Sequence, residues 1–390
     1  MNWPTQPLSS LGTVKTGSTP STSNETFWGG EIPFVTPSEL DQSIPIIITP
    51  RTLSDEGGRE ARLLQEGAVL VCCIGSLGKL GIAGRTLATN QQINSVEFDP
   101  QRIWPRFGYY ACRTLKSKLI TMAPATTVPI VNKSKFEQLE IPVPPLSEQR
   151  RIAAILDQAD ALRAKRREAL AQLDSLTQSI FIEMFGDSIR NPKGWQVATL
   201  ASNSQRIQIG PFGSQLHEVD YIEGGIPLIN PTHIQSGKIV PNWTLTVSED
   251  KYAQLSQYHL AQGDLVLGRR GEMGRCAVVT DVEHGWLCGT GSLFIRLDTK
   301  VITPTYLKYV ISSSPMKRHL ENVAQGVTMA NLNKDIVGGL QIPIPPLSVQ
   351  LNFAARLEAL EILNESSDDS LKELDALFSS LQHRAFRGEL

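Results

Sequence analysis

Eight residues in the second half of this chain carry three guanidiniums and three glycines: Gly268-Arg269-Arg270-Gly271-Glu272-Met273-Gly274-Arg275. Glycine lets a backbone amide come close to a phosphate, and arginine neutralises the phosphate charge. An arginine fork also fits the major-groove edge of guanine with two hydrogen bonds. The first half holds a leaner version, Gly75-Ser76-Leu77-Gly78-Lys79. Lys79, Arg269, Arg270 and Arg275 are therefore candidate nucleic-acid contacts. The alternative is two hairpin turns with solvated charges. Amides suit the edge of adenine, which adds Asn90, Gln91 and Gln92 ahead of a strand. Gln208 and Gln215 flank a further glycine-rich loop, Gly210-Pro211-Phe212-Gly213-Ser214, and Gly17-Ser18-Thr19 opens the first half in the same manner. Asn132-Lys133 and Asn333-Lys334 recur as a pair, which adds Lys133 and Lys334. They follow Thr126-Thr127 and Gly326-Val327-Thr328. For these weaker candidates, ordinary loop chemistry competes with base contact.

Catalytic patterns are missing. An amino-methyltransferase holds its extruded base with an [N/D]-P-P-[F/Y/W] loop, whereas Asn191-Pro192 is followed here by Lys193. Gly78-Lys79 is followed by Leu80 rather than the Ser or Thr of a phosphate-binding loop. The six histidines show no H-E-x-x-H spacing, and no G-x-S-x-G occurs. The pattern fits a binding protein whose chemistry lies in a partner.

The elements that must position these loops occur twice. QLEIPVPPLSEQRRIAAILD (residues 138–157) returns as GLQIPIPPLSVQLNFAARLE (residues 339–358), 201 residues later. Trp3 matches Trp195, and GEIPFVTPSEL (30–40) matches GGIPLINPTHI (224–234) at offset 194. LQEGAVLVCCIGSLGKLGIAG (64–84) matches LAQGDLVLGRRGEMGRCAVV (260–279) at offset 196. A period this long duplicates a whole module rather than a solenoid unit. The ends of the copies agree and the interiors diverge, so a shared frame holds private readers.

Each copy starts as an irregular α+β stretch with β-like runs at residues 44–49 and 265–267 and a helix at Pro304–Ser312. A proline stop follows, with Ser147 and Ser348 as helix N-caps. A long helix then runs over 147–185 and 348–387. In the first helix a heptad row comprises Ile152, Ala159, Arg166, Leu173 and Ile180, and a second comprises Ile155, Leu162, Ala169 and Leu176. In the second helix the rows are Phe353, Leu360, Ser367, Leu374, Leu381 and Leu357, Asn364, Leu371, Phe378, Ala385. Such stripes predict coiled-coil pairing. Each helix is roughly 60 Å long at 1.5 Å per residue.

At 390 residues the chain has room for two or three domains. The expected division is 1–146, 147–187, 188–346 and 347–390. No run reaches 18 apolar residues, and the N-terminus lacks a signal-peptide pattern. Five cysteines without C-x-x-C point to free thiols in a reducing cytoplasm, with Cys72 and Cys73 in the core. The net charge of −2 argues mildly against nucleic acid. Locally, residues 1–146 carry 13 basic and 12 acidic side chains, and 188–346 carry 14 and 12.

The paired I-P-x-P-P-L-x-x-Q segments, the long helix after each and the Trp-led globule before each resemble the specificity subunit of type I restriction–modification systems. The likeness covers essentially the whole chain. It implies an α+β architecture: two repeated mixed α/β target recognition globules separated by two long helices forming an antiparallel coiled coil. It also implies a non-catalytic reader of a bipartite, asymmetric site in double-stranded DNA. Two modification (methyltransferase) subunits would dock on the helices, and restriction subunits would join through them. S-adenosylmethionine, ATP and magnesium would belong to those partners and none to this chain. In the second copy Val349 replaces Glu148, and Leu351-Asn352 replaces Arg150-Arg151, so the two docking ends differ. A sister system with methylation and cleavage in one polypeptide is a neighbouring reading, and a two-module protein-interaction scaffold is the alternative from another class. Antiparallel pairing predicts Arg166 against Ser367 and Ile152 near Leu381; parallel pairing would bring Ile152 to Phe353.

Overall fold

The proline stop in each copy leads into one unbroken helix, Leu146–Phe185 and Leu347–Arg387. The computed structural model describes residues 3–42, 44–123, 128–324 and 331–390; Thr126-Thr127 and Gly326-Val327-Thr328 lie outside them. Both helices begin one residue earlier than the serines, so Ser147 and Ser348 sit inside the first turn and are not N-caps. A glutamine organises this end instead. Gln149 Nε2 donates to the carbonyls of Pro144 and Arg102, each at 2.8 Å, and Oε1 accepts from the Trp104 amide at 2.8 Å. Gln350 repeats every bond: to Pro345 at 2.9 Å, to Val301 at 3.0 Å, and from Thr303 at 2.8 Å. Both side chains are completely buried. Trp104 and Thr303 are the N-cap positions of the helices Pro105–Arg113 and Pro304–Ser312. One amide therefore ties the long helix and the proline stop to a helix of the globule. This is the physical reason for the glutamine that closes the repeated motif.

The chain divides into two compact units, Met1–Leu170 with Ser366–Leu390, and Ala171–Glu365. Each long helix contributes to both. In the first unit a four-stranded antiparallel sheet has the order Gly12–Thr16, Ile93–Phe98, Val69–Cys72, Leu80–Ile82. All four residues of Val69–Cys72 are buried, as an apolar run covered on both faces requires. A second sheet joins Thr52–Leu53, Trp28–Val35 and Ala88–Thr89. Thr5–Pro7 pairs with Glu140–Pro142 and closes the globule at its base. The second unit repeats the plan. Its main sheet runs Ser204–Ile209, Ser292–Leu297, Leu265–Gly268, Cys276–Val278, and its closing pair is Gln196–Thr199 with Gln341–Ile344. The expected strand at 265–267 and the helix Pro304–Ser312 are present. The run 44–49 is not a strand. Only Ile46 bridges, to Ala83, while Ile44, Ile47 and Ile48 are exposed. Pro45 interrupts the run. It touches the sheet edge through one residue, with Ile46 N bonded to Ile82 O and Gly84 N to Ile46 O.

The helices pack antiparallel. In the first unit Ile152, Ala153, Leu156 and Ala159 share a core with Phe378, Leu381 and Ala385. In the second, Phe181 and Phe185 pack on Phe353, with ring centroids 5.6 and 5.2 Å away. Ile152 and Phe353 belong to different cores. Arg166 Nη1 reaches Ser367 Oγ at 3.5 Å, the polar layer expected from their matched positions. Ile152, Ala159, Phe353 and Ser367 are buried, and Leu173, Ile180, Leu360, Leu374 and Leu381 are partly buried. The second row of the first helix needs correction: Leu162 and Leu176 are exposed. The seam instead follows Leu156, Arg163, Leu170, Thr177 and Met184. An apolar pattern passes over this row because Arg163 is buried at it, paired with Asp160 at 2.6 Å and with Asp375. The duplication carries the signal, since Leu357 and Asn364 lie 201 residues beyond Leu156 and Arg163.

Candidate nucleic-acid interface

In each globule one end of the main sheet gathers the glycine-rich loops. In the first, Gly17 N bonds to Ile93 O at 3.0 Å, Ser18 N to Thr89 O at 2.9 Å, and Gly75 N to Pro129 O at 2.9 Å. In the second, Gly210 N bonds to Ser292 O at 3.0 Å, Arg269 N to Gly291 O at 2.9 Å, and Leu332 N to Arg269 O at 3.0 Å. The candidate segments Gly75-Lys79 and Gly271-Arg275 are the same hairpin turn. Gly75 and Gly78 have φ of 77° each, and Gly271 and Gly274 have 78° and 77°. A Cβ on Gly78 would come within 2.6 Å of Lys116, and one on Gly274 within 2.7 Å of the Ile311 carbonyl. Glycine is thus required by the left-handed backbone and by packing, before any ligand is considered.

The charges on these turns have different surroundings. Lys79 Nζ donates to Pro37 O at 3.3 Å. Arg275 pairs with Glu272 at 2.8 Å and donates to Pro231 O at 3.2 Å. Glu272 also holds Lys317 at 3.1 Å. Its hydrogen bonds from Arg275 and Lys317 keep its carboxyl below the usual range. Arg269 is 9% exposed, and its Nε donates to Leu332 O at 2.7 Å. Burial pulls its pKa down, and the neighbouring Arg270 charge adds to this. Arg270 is exposed. The three guanidiniums therefore do not form one outward cluster: Arg269 and Arg275 engage the protein, and Arg270 projects into solvent.

The amide candidates are partly committed to loop structure. Asn90 Oδ1 accepts from Gln92 N at 3.1 Å, and Asn90 Nδ2 donates to Gln92 Oε1 at 2.8 Å. Exposed Gln91 accepts from Thr19 Oγ1 at 2.7 Å, which joins two loops. Gln208 Nε2 bonds to Ile209 O at 2.9 Å. Gln215 accepts from Tyr258 Oη at 2.7 Å and from Phe212 N at 3.3 Å. This stiffens a loop whose Phe212 is 65% exposed. The paired Asn-Lys is explained by helix capping. Asn132 Oδ1 accepts from Lys135 N, and Asn333 Oδ1 from Ile336 N. Lys133 pairs with Glu137 at 3.2 Å, and Lys334 is exposed. Composition and motif reading missed Gln149 and Gln350, the Arg163 network and an arginine–tryptophan stack at Arg51. The first was readable as the invariant end of the repeated motif. The Arg163 row was readable only through the duplication, at Leu357 and Asn364, and the stack at Arg51 leaves no periodic trace.

A family model described as type I restriction modification DNA specificity domain matches the chain twice, over residues 1–172 and 214–376. The type I restriction enzyme MjaIX specificity subunit of Methanocaldococcus jannaschii is 26% identical, covering 100% of this chain and 94% of that one. The EcoBI specificity subunit of Escherichia coli is 23% identical over 77% of this chain and 69% of its own length. Among solved structures, the type I restriction-modification S subunit of M. genitalium superposes with a TM-score of 0.59 at 16% identity, covering 99% and 96% of the two chains. A chain from a structural study of complex assembly and conformational transition of the type I R-M system gives 0.59 at 19% identity, over 100% and 98%. With two specificity-domain matches and the paired-helix α+β architecture of its structural relatives, the chain belongs to the type I restriction–modification DNA specificity family and is a non-catalytic DNA-recognition subunit.

Proposed function

We propose that each globule reads one half of a bipartite, asymmetric duplex target, and that the paired helices dock two modification subunits, through which restriction subunits join. Adenine methylation and DNA cleavage belong to those partners, as do S-adenosylmethionine, ATP and magnesium. The setting is the cytoplasm; no helix among the described residues is long and apolar enough to cross a membrane. One observation carries the reading. The frame repeats down to the three bonds of one buried glutamine, while the residues displayed at the loop ends differ. Equal frames with unequal displays suit two half-sites of different sequence. No specific observation favours the protein-scaffold reading.

Sequencing the methylome of a host carrying this chain with its partners should reveal a split, non-palindromic motif. Its half-site centres should lie roughly 10 bp apart, one helical turn. A single continuous or palindromic motif would refute the proposal. Exchanging residues 1–146 for the first globule of another family member should change one half-site and leave the other intact.

The DNA-contact candidates remain Lys79, Asn90, Gln91, Gln92, Lys133, Gln208, Arg269, Arg270, Arg275 and Lys334, with Arg270 best presented. Arg270→Ala is expected to weaken duplex binding for all sequences and to lower the log–log salt slope by about one. The measurement is a salt titration with the methyltransferase partner present. An unchanged slope and affinity would remove Arg270 from the interface.

A further inference from the structure

The frame recurs between the copies, and one exposed cluster private to the first copy lies outside it. In the first unit the Arg51 guanidinium lies over the Trp28 ring, 4.0 Å from its centroid, and 5.7 Å from that of Phe34. Trp28 is itself fixed. Its Nε1 donates to Ser21 O at 3.1 Å, and it packs edge-on against buried Phe34 at 5.2 Å. The Arg51 carbonyl accepts from Phe34 N at 3.0 Å and Thr49 Oγ1 at 2.6 Å. Backbone and guanidinium are both held, yet the guanidinium has no hydrogen-bond acceptor or carboxylate among the described residues. It borders a cavity of about 380 Å³ that Glu25, Trp28 and Thr52 also line. Gly29 forms part of the wall at φ +85°, with nothing within 4 Å of where a Cβ would stand. Glu25 and Arg51 share this cavity without forming an ion pair. A fork of donors and a separate acceptor are thus presented across open space.

At offset 194 the second copy has Val219, Ile222 and Leu245 in place of Glu25, Trp28 and Arg51. All three are exposed. The same place on the second globule is therefore also unlike an ordinary polar surface, by different chemistry. The segment bearing Trp28 leads directly from Thr19, which bonds Gln91 in the loop cluster. We infer that Arg51 and Glu25 read one G·C pair of the first half-site in the major groove. Arg51 donates to O6 and N7 of guanine, and Glu25 accepts from N4 of cytosine, the pairings those edges allow. The Trp28 ring holds the fork in position, which lowers the ordering cost of the contact.

This inference rests on the proposed half-site reading. Its test is the methylation motif of cells carrying the complete system with Arg51→Lys, Arg51→Ala or Glu25→Ala. Lysine keeps the charge and loses the fork. The expected result is a roughly ten- to hundredfold loss of guanine preference at one position of the first half-site. The second half-site and the thermal unfolding of the purified Arg51→Lys chain should be unchanged. Glu25→Ala should relax the same position. Unchanged base preference in all three variants would overturn the assignment. So would uniform weakening with a salt slope lowered by about one, the mark of a phosphate contact. If instead the unsubstituted complex shows no salt-dependent duplex binding, or a motif that is not split, the half-site reading itself fails.

Discussion

Gln149→Ala should destabilise the first unit by about 3–5 kcal/mol, and Gln350→Ala should do the same to the second. The side chains make no contact that alanine could replace. Each fully buried side chain satisfies one amide and two carbonyls at a buried or partly buried junction. A buried backbone group left unpaired costs about 1–3 kcal/mol, and the vacated volume adds a cavity. Some relaxation and water entry reduce the sum. Hydrogen exchange should localise the loss to Pro105–Arg113 or Pro304–Ser312, whichever helix has lost its tie. A change below about 1 kcal/mol would show that the clamp is dispensable. Gln149→Glu adds a pH dependence. Burial favours the protonated acid and raises its folded-state pKa above the unfolded value of about 4.3. Below that value both states are protonated and the penalty is smallest. As pH rises, the unfolded chain ionises first, and the variant loses about 1.4 kcal/mol per pH unit until the folded pKa is reached.

Arg163→Ala is the second large effect, about 3–5 kcal/mol in the first unit. The Asp160 side chain is 2% exposed and that of Arg163 9%, so removal of the cation strands a buried carboxylate. Arg113 approaches Asp160 only to 3.6 Å and replaces little of the lost pairing. Replacing both partners by apolar residues, as Arg163→Met with Asp160→Leu, should recover most of the loss. Asp375→Asn should cost under about 1 kcal/mol, because that carboxylate is 44% exposed and water screens it. Urea denaturation with a constant m-value separates these cases. If the double substitution is no better than Arg163→Ala, packing around the pair governs the site rather than its charge.

The frame was legible because it is written twice. Both proline stops, both long helices and the Arg166–Ser367 layer follow from repeat positions and heptad spacing alone. Reading failed where a polar residue occupies an apolar role. Arg163 in the seam displaced the second row by one residue, and Gln149 took over a helix end assigned to Ser147. The loops were harder. Glycine spacing marked the hairpin turns correctly, but the same glycines serve backbone geometry and phosphate approach alike. Three arginines in eight residues looked like one patch until Glu272 and the Leu332 carbonyl claimed two of them. Arg51 and Trp28 stand 23 residues apart, in a segment without periodicity. Nothing local announces that they stack.

Arg166 and Ser367 have one further consequence. Two antiparallel helices that are copies of each other have a single level at which a residue meets its own counterpart, and here that level is Arg166 with Ser367. A first helix pairing with another first helix would bring Arg166 against a second Arg166, two like charges in a partly dry seam. Serine in the later copy removes that repulsion for the mixed pair, and equally for two second helices, where serine would meet serine. The position therefore counts against pairing two first helices from different chains, and leaves the pairing of two second helices unopposed.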